Sequence, residues 1–473
     1  MNKDLRRLLR GAAVALVAGL AGSGVVSSNA WAFHDDDQRL VQPSYGEIKN
    51  LEILGYTDLG FGDAPDGSAL DPVTNLPWDR TSEFRVQGRY AYTANYQGWS
   101  IVDVRNPRDM KVVFRQQNER VAGTDRFQNT QYIDIRGNTL VVKETNRLSI
   151  WNVRNKRAPV RLSTFAPPDL AGGYHGMWVH RDGRRTFAIA AANVQNYTGD
   201  ILLIVDITDP RNPREVSRWW YPGQGPGETP DWPLDAGLAV QAHDITTYGD
   251  RAYVAWRDKG LIILDISNIA NPTKVGELNW SIPRPDRTSV LPGQTHSFGV
   301  VIPEDGGPVE TLVATDELTR ASHCPWGYPH FIDISDETRP KEISVFQLPL
   351  NLHGNCPADR PGVRFGVHDV ERMIRGDIVW SAWEEAGFWG IDISDIHIPK
   401  AAAYFVPPVR SDSPAGSRSG HADDVFVTRN GTIFGSSSDP GGGGLWAMRY
   451  RPGFEGTVRW NADENDVLVR RAN

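Results

Sequence analysis

Cysteine is scarce in this sequence: Cys324 and Cys356 are its only two, and no cysteine–histidine zinc pattern surrounds them. Long apolar runs are missing too. Past the N-terminal stretch, no segment approaches the ~20 uncharged apolar residues that span a bilayer, so no integral membrane association is expected. No helical period runs through the chain beyond that stretch. A Gly-rich phosphate loop and a nucleophile elbow are both absent. Positive charge is in deficit, with 50 Lys and Arg against 58 Asp and Glu and a net charge of −8. That balance argues against nucleic acid and anionic membrane surfaces as partners.

The first residues read as an export signal rather than as part of a fold. Lys3, Arg6, Arg7 and Arg10 precede an apolar stretch from Gly11 to about Val26, and Ala30-Trp31-Ala32 supplies a small-x-small cleavage pattern. Residues 1–32 are therefore expected to be a signal peptide, leaving about 440 residues from Phe33 in the periplasm or outside the cell. The four cations and Asp4 make the signal +3, so its removal from −8 leaves −11. Arg6-Arg7 before Leu8-Leu9 fits a twin-arginine signal, and an ordinary secretory signal with two adjacent arginines fits as well. Asp35-Asp36-Asp37 reads as a solvated tail rather than a calcium site.

A short β-rich segment ending in Asp or Asn recurs along the chain. It appears as Trp99–Val104, Leu148–Val153, Leu202–Ile207, Leu261–Ile266, His330–Ile334 and Trp389–Ile393. A proline turn follows each copy, as at Asn106-Pro107, Asn212-Pro213 and Asn271-Pro272. Proline fixes φ and lacks an N–H, so it suits a turn between strands and not a strand interior. Ahead of each copy lies a Gly turn between two strands, as at Gly249-Asp250-Arg251. Each unit thus reads as four antiparallel strands, which must stack around an axis to bury both faces. Units begin near Ser82, Gln131, His175, His243, His296, His368 and His421. The expectation is all-β: residues 33–473 form a single seven-bladed β-propeller. Its last unit, His421 to Arg451, holds only three strands, and the orphan run Ile48–Asp58 is expected to close the ring as its fourth.

The segments Leu202–Ile207 and Leu261–Ile266, each with its Asn-Pro turn, resemble the LVIVD repeat of exported bacterial and archaeal propellers. The resemblance spans residues ~80 to 408. It implies a propeller and, by itself, no chemistry.

Loop length separates the two faces of such a ring. Strand 1–2 and strand 3–4 turns are tight, whereas the other set is long, including Pro222–Val240, Glu317–Tyr328 and Pro349–Gly366. Long ordered loops usually serve function, so the site is expected on the looped face over the channel mouth. Five histidines open innermost strands there: His175, His243, His296, His368 and His421. Imidazoles converging from several blades are a transition-metal ligand set, and copper or iron is the expected metal. In architecture alone this resembles the inner-strand histidines of carotenoid cleavage oxygenases and nitrous oxide reductases. The competing reading is structural, as in WD-repeat propellers, with His243-Asp244 and His368-Asp369 bonded inside their own blades.

Acids and bases also gather near second-strand ends: Glu144, Asp258, Glu317, Glu384, Glu385 and Asp439, with Arg257 and Arg320. Glu384 and Asp369 are the candidate catalytic acid/base residues. The tryptophans Trp219, Trp220, Trp232, Trp326 and Trp389 fit a ligand wall, or more simply the core between blades. Three functions follow from these residues. One is a metal-dependent oxidoreductase acting on a small molecule. Another is a metal-free propeller binding a protein, small-molecule or polysaccharide ligand on the looped face. The third is a propeller polysaccharide lyase. A monomer is expected in each case.

In an oxidising compartment Cys324 and Cys356 should pair, although His323 and His353 also permit a metal reading. Thiol titration of the denatured, unreduced protein is expected to find no free thiol. Two reactive thiols would refute the bridge.

Overall fold

The computed structural model describes residues 44–59, 81–120, 128–232, 238–283, 290–292, 294–317, 326–351, 366–408, 421–439, 442–461 and 466–472. The expected signal peptide, Cys324, Cys356 and Arg320 lie outside them. Strands dominate, and no α-helix occurs among the described residues. None of these residues forms a helix long and apolar enough to cross a membrane.

The strands form seven antiparallel groups of four. Blade one is Thr81–Gln87, Tyr90–Asn95, Gly98–Asp103 and Lys111–Gln117, each paired with the next. Blades two to six repeat this order from innermost strands Ile133–Arg136, Leu170–Asp182, Ile245–Tyr248, Thr295–Val301 and Val367–Val370. Each innermost strand contacts that of the next blade, and His421–Val427 contacts both Val367–Val370 and Thr81–Gln87. The ring is therefore closed.

Closure uses the N-terminal strand as expected. Glu47–Asp58 pairs with Gly442–Asn461 from Leu51↔Tyr450 to Asp58↔Gly444, outermost in the blade that contains His421. Its first residues also pair with blade six at Ile48↔Phe405, which stitches two blades together. The C-terminus goes further than three strands: Gly442–Asn461 continues past blade seven and forms a hairpin with Asp466–Arg471.

Apolar residues fill the gaps between blades. Trp99, Ile101 and Tyr92 of blade one pack on Ile133, Leu140 and Trp151 of blade two. Trp256, Ile262 and Leu264 of blade four meet Trp178, Leu202 and Ile204 of blade three. Burying each such side chain contributes about 1.5–3 kcal/mol. Middle strands are sandwiched on both faces, so Asp200–Asp206 is buried along its interior. Outer strands face water on one side, so Lys111–Gln117 mixes exposed and half-buried residues.

The acid or amide that ends each repeat has a defined task. Its side-chain oxygen accepts the backbone N–H two residues on: Asp103 from Arg105, Asn152 from Arg154, Asp206 from Thr208, Asp265 from Ser267, Asp333 from Ser335 and Asp392 from Ser394. A second Asp or Asn three residues later repeats the bond, as Asn106 to Arg108 and Asp209 to Arg211. These paired Asx turns reverse the chain before the outer strand. A carboxylate or amide serves equally, which is why the repeat tolerates either.

His330, in the third strand of blade five, is buried between the rings of Trp280 and Tyr328, each with its centroid 4.9 Å away. Its Nε2 lies 2.9 Å from Asp316 and its Nδ1 lies 2.6 Å from Glu342. Burial alone would lower the imidazole pKa, but the two carboxylates outweigh it and push it up to about 10. The unfolded chain releases this proton near pH 6.5. The stability it contributes is complete below that value and is lost as pH rises toward 10. Urea unfolding midpoints should fall across that interval, and His330→Gln should flatten the slope. An unchanged slope in the variant would show that the imidazolium pair does not contribute.

Candidate functional site

The innermost strands of blades three to seven bring the five histidines into one arc at the channel mouth. Ring centroids are 4.1 Å apart between His175 and His243, 4.3 Å between His243 and His296, and 4.2 Å between His296 and His368. His421 follows at 6.3 Å from His368. His243, His296 and His368 are buried, whereas the side chains of His175 and His421 keep 30% and 14% of their exposure. The arc is thus open at its ends. Close approach of the blades requires Gly176, where a Cβ would lie 1.9 Å from the carbonyl oxygen of His243.

Hydrogen bonds between blades orient the rings. His243 Nδ1 is 3.0 Å from the carbonyl of His296, and His368 Nδ1 is 2.8 Å from the carbonyl of Asp423. At His243 this bond holds the proton on Nδ1 and leaves Nε2 as the acceptor or ligand atom. At His368 burial would lower the imidazole pKa, but Asp369 outweighs it and raises it well above the usual value, so both nitrogens carry protons. His296 differs: its Nδ1 is buried without a hydrogen bond, 3.5 Å from Asp369. Its Nε2 lies 3.9 Å from Glu317, which in turn accepts from Arg257 at 2.8 Å. Arg257 has φ +37°, a strained backbone for a residue with a Cβ.

Two ligand sets in the arc have donor atoms within 4.8 Å of one another: His243, His296 and Glu317, and His296, His368 and Asp369. Among the described residues no three of the five imidazoles meet this condition. Rings placed side by side and tied to the neighbouring blade keep their nitrogens apart, so each set takes a carboxylate as its third member.

Asp369 and Glu384 are both buried. Burial would raise Asp369, but Arg372, His296 and His368 outweigh it and hold the carboxyl well below its usual range. It is 2.9 Å from His368 Nδ1 and 3.1 Å from Arg372, and so is a counter-ion. Glu384 lies in a short 3-10 turn after Ile378–Trp383, 3.4 Å from His421 Nε2. Trp232, Trp326 and Trp389 belong to the core, and Trp219 packs edge-on against Trp256 at 5.0 Å. Trp220 donates to Glu228. Glu144 is held by Arg147, and Asp258 by the backbone of Ala239.

In blade two, where Gln131 replaces histidine, Lys143 bonds Gln131 at 3.1 Å. Burial lowers this ammonium to about 8 against the pull of Asp200. Below the arc, Arg372 reaches from blade six to Glu83 of blade one at 3.2 Å, to Asp244 of blade four and to Asp369. Arg85 binds Glu83 at 2.9 Å and Asp424 of blade seven at 3.0 Å. Burial raises Glu83 and Asp244 against the pull of Arg372. Lys143, Arg85, Arg372, Glu83 and Asp244 were all missed as a group in the sequence. The available signal was a charged residue just after the histidine position, as at Glu83, Asp244 and Asp369.

The LVIVD repeat family matches at residues 80–117, 196–219 and 239–279, which cover blade one, the later part of blade three and blade four. The chain carries LVIVD repeats. A search of curated proteins finds no match. Among solved structures, the Cps50 (Swd1) β-propeller domain of Myceliophteria thermophila is 13% identical, with 78% of this chain and 97% of that one covered and a TM-score of 0.48. The Neurospora crassa Pan2 WD40 domain is 9% identical, covering 86% and 97%, with a TM-score of 0.47. Likenesses this distant carry no functional argument, and the propeller assignment rests on strand pairing and the repeat.

Within this LVIVD-repeat propeller, Arg372 is the cation that most carboxylates share. Arg372→Met would leave Glu83, Asp244 and Asp369 buried without it, at a cost of about 3–5 kcal/mol. Arg372→Lys should recover only part, because a point charge cannot fork among three acceptors. Chemical denaturation of both variants measures this, and a loss under about 1 kcal/mol in the Met variant would show that the network is not structural.

Proposed function

We propose that this propeller is an exported metalloprotein that holds one copper or iron ion through His243, His296 and Glu317 and acts as an oxidoreductase. The observation that carries the reading is His296. It belongs to both ligand sets, with Nε2 toward Glu317 and Nδ1 toward Asp369. Its Nε2 faces Glu317 at 3.9 Å, on the side where His243 also lies, so one ion could be shared by the three. Two imidazoles and a carboxylate suit copper or iron and leave positions open for a substrate. The ion would supply redox chemistry. His175 and His421, at the open ends of the arc, would meet a small molecule arriving from the looped face, with Glu384 beside His421 for proton transfer.

The first set is preferred over His296, His368 and Asp369 because Asp369 already neutralises Arg372 and His368. A second reading, a metal-free binding propeller, is favoured by the ion pair between Glu317 and Arg257, which satisfies the carboxylate without a metal. In that reading the arc offers imidazole donors and acceptors to a polar ligand. In this reading residues 1–32 would serve for export, and the protein would act in the periplasm or outside the cell as a monomer.

Metal analysis of the purified protein should find about one copper or iron per chain. His296→Ala and Glu317→Gln should each reduce metal affinity by more than about tenfold, with the β-sheet circular dichroism unchanged. Absence of metal in the parent, or equal content in both variants, would overturn the metal reading in favour of the metal-free one.

A further inference from the structure

The opposite mouth of the channel holds a cavity of about 780 Å³ that the metal reading does not use. It opens among the tight turns of blades one, six and seven, the face whose short loops gave no reason to expect a site. Such a volume suits a small organic ligand. Seven arginines line it against a single carboxylate, Glu371, in a chain whose net charge is −8. Burial pushes Glu371 up to about 8, so at neutral pH it is mostly uncharged and does not cancel the arginines.

The arginines form two tiers. Arg85 and Arg372 form the floor, each at least nine-tenths buried, and the Nε–H of each is a buried donor without an acceptor. Their terminal nitrogens serve the channel carboxylates, so these Nε groups are spare. At the rim stand Arg89, Arg375 and Arg429, all exposed and with no ion pair among the described residues. Arg375 donates only to the carbonyl of Met373. Between the tiers the walls are largely apolar, with Val86, Phe426, Phe434 and Trp178 among them. The Trp178 ring lies beneath the guanidinium groups of Arg85 at 5.7 Å and Arg136 at 5.4 Å.

Guanidinium forks match carboxylate and phosphate oxygens, and several around one apolar cavity select charge on a compact carbon body. We propose that this mouth is a second ligand site that takes a small organic polyanion bearing two or more carboxylate or phosphate groups. The rim cations attract the anion and engage its outer groups, while the apolar walls take its carbon body. This site is independent of the histidine arc: the two lie on opposite faces, with the buried ion pairs of Arg372 between them.

Calorimetric titration of the full chain with citrate and with fructose 1,6-bisphosphate tests this, with mannitol as the neutral control. At least one of the two anions is expected to bind with one site per chain, and which one does identifies the acid group preferred. Affinity should fall as salt rises. The double variant Arg375→Gln, Arg429→Gln removes exposed rim charge only and should weaken binding by about tenfold or more, whereas His296→Ala should leave it unchanged. Binding of neither anion, equal binding by mannitol, equal affinity in the double variant, or loss of binding in His296→Ala would each overturn the proposal.

Discussion

Arg372 is the constraint around which the channel is organised. It stands on blade six and reaches Glu83 on blade one and Asp244 on blade four, so a single guanidinium joins blades that share no strand pairing. Neighbouring blades of a propeller are held by the apolar contacts between their sheets. Blades across the ring have nothing between them but the channel. Filling that space with carbon would need long side chains from every inner strand. A buried cation with several counter-ions does it with few residues, at the expense of desolvating each of them. Such a network contributes specificity of arrangement more than net stability, because each member is badly placed unless the others are in position.

Charge balance in the plug follows from the same geometry. Two guanidinium groups, Arg85 and Arg372, face Glu83, Asp244, Asp369 and Asp424 in a space without water contact for most of their atoms. All four carboxylates cannot ionise there cheaply. Burial raises Glu83, Asp244 and Asp424, the last to about 6, whereas Asp369 stays ionised because it touches Arg372 and the imidazoles together. Asp369 is therefore the junction between plug and arc. It lies against His368 on one side and Arg372 on the other, as a counter-ion to both.

Much of the fold was legible because it repeats. The Leu261–Ile266 type of strand, its Asx turn and the following proline recur often enough to count blades, and the missing fourth strand of the last blade pointed to Ile48–Asp58. The histidines were legible for the same reason, since equivalent positions in successive strands present equivalent faces. What the repeat could not give was the third dimension across the channel. Arg372 reaches Glu83 at a separation of 289 residues, and no local pattern announces a contact between blades that are not neighbours. Nor did position alone show whether the five rings would meet at one point or lie side by side; the cross-blade bonds of His243 and His368 decide for the latter. The arginine-lined mouth was illegible because its members are scattered singly through tight turns, Arg89 after Gly88, Arg375 before Gly376 and Arg429 before Asn430. Each reads alone as an ordinary solvated turn residue.

The plug also lies between two mouths of different chemistry. Above it, His243 has its Nε2 left unprotonated by its Nδ1 bond and stands with Glu317 on a surface that accepts hydrogen bonds or cations. Below it, guanidinium groups make a surface that only donates. The same two arginines whose terminal nitrogens satisfy the channel carboxylates also line the second cavity. Opposite chemistries on the two faces thus need no separate explanation. The imidazoles gather beside Asp369 of the plug, and the second cavity is lined by its cations Arg85 and Arg372. Asp369 with His296 and His368 shows the first arrangement, and Arg85 beside Arg136 over Trp178 shows the second.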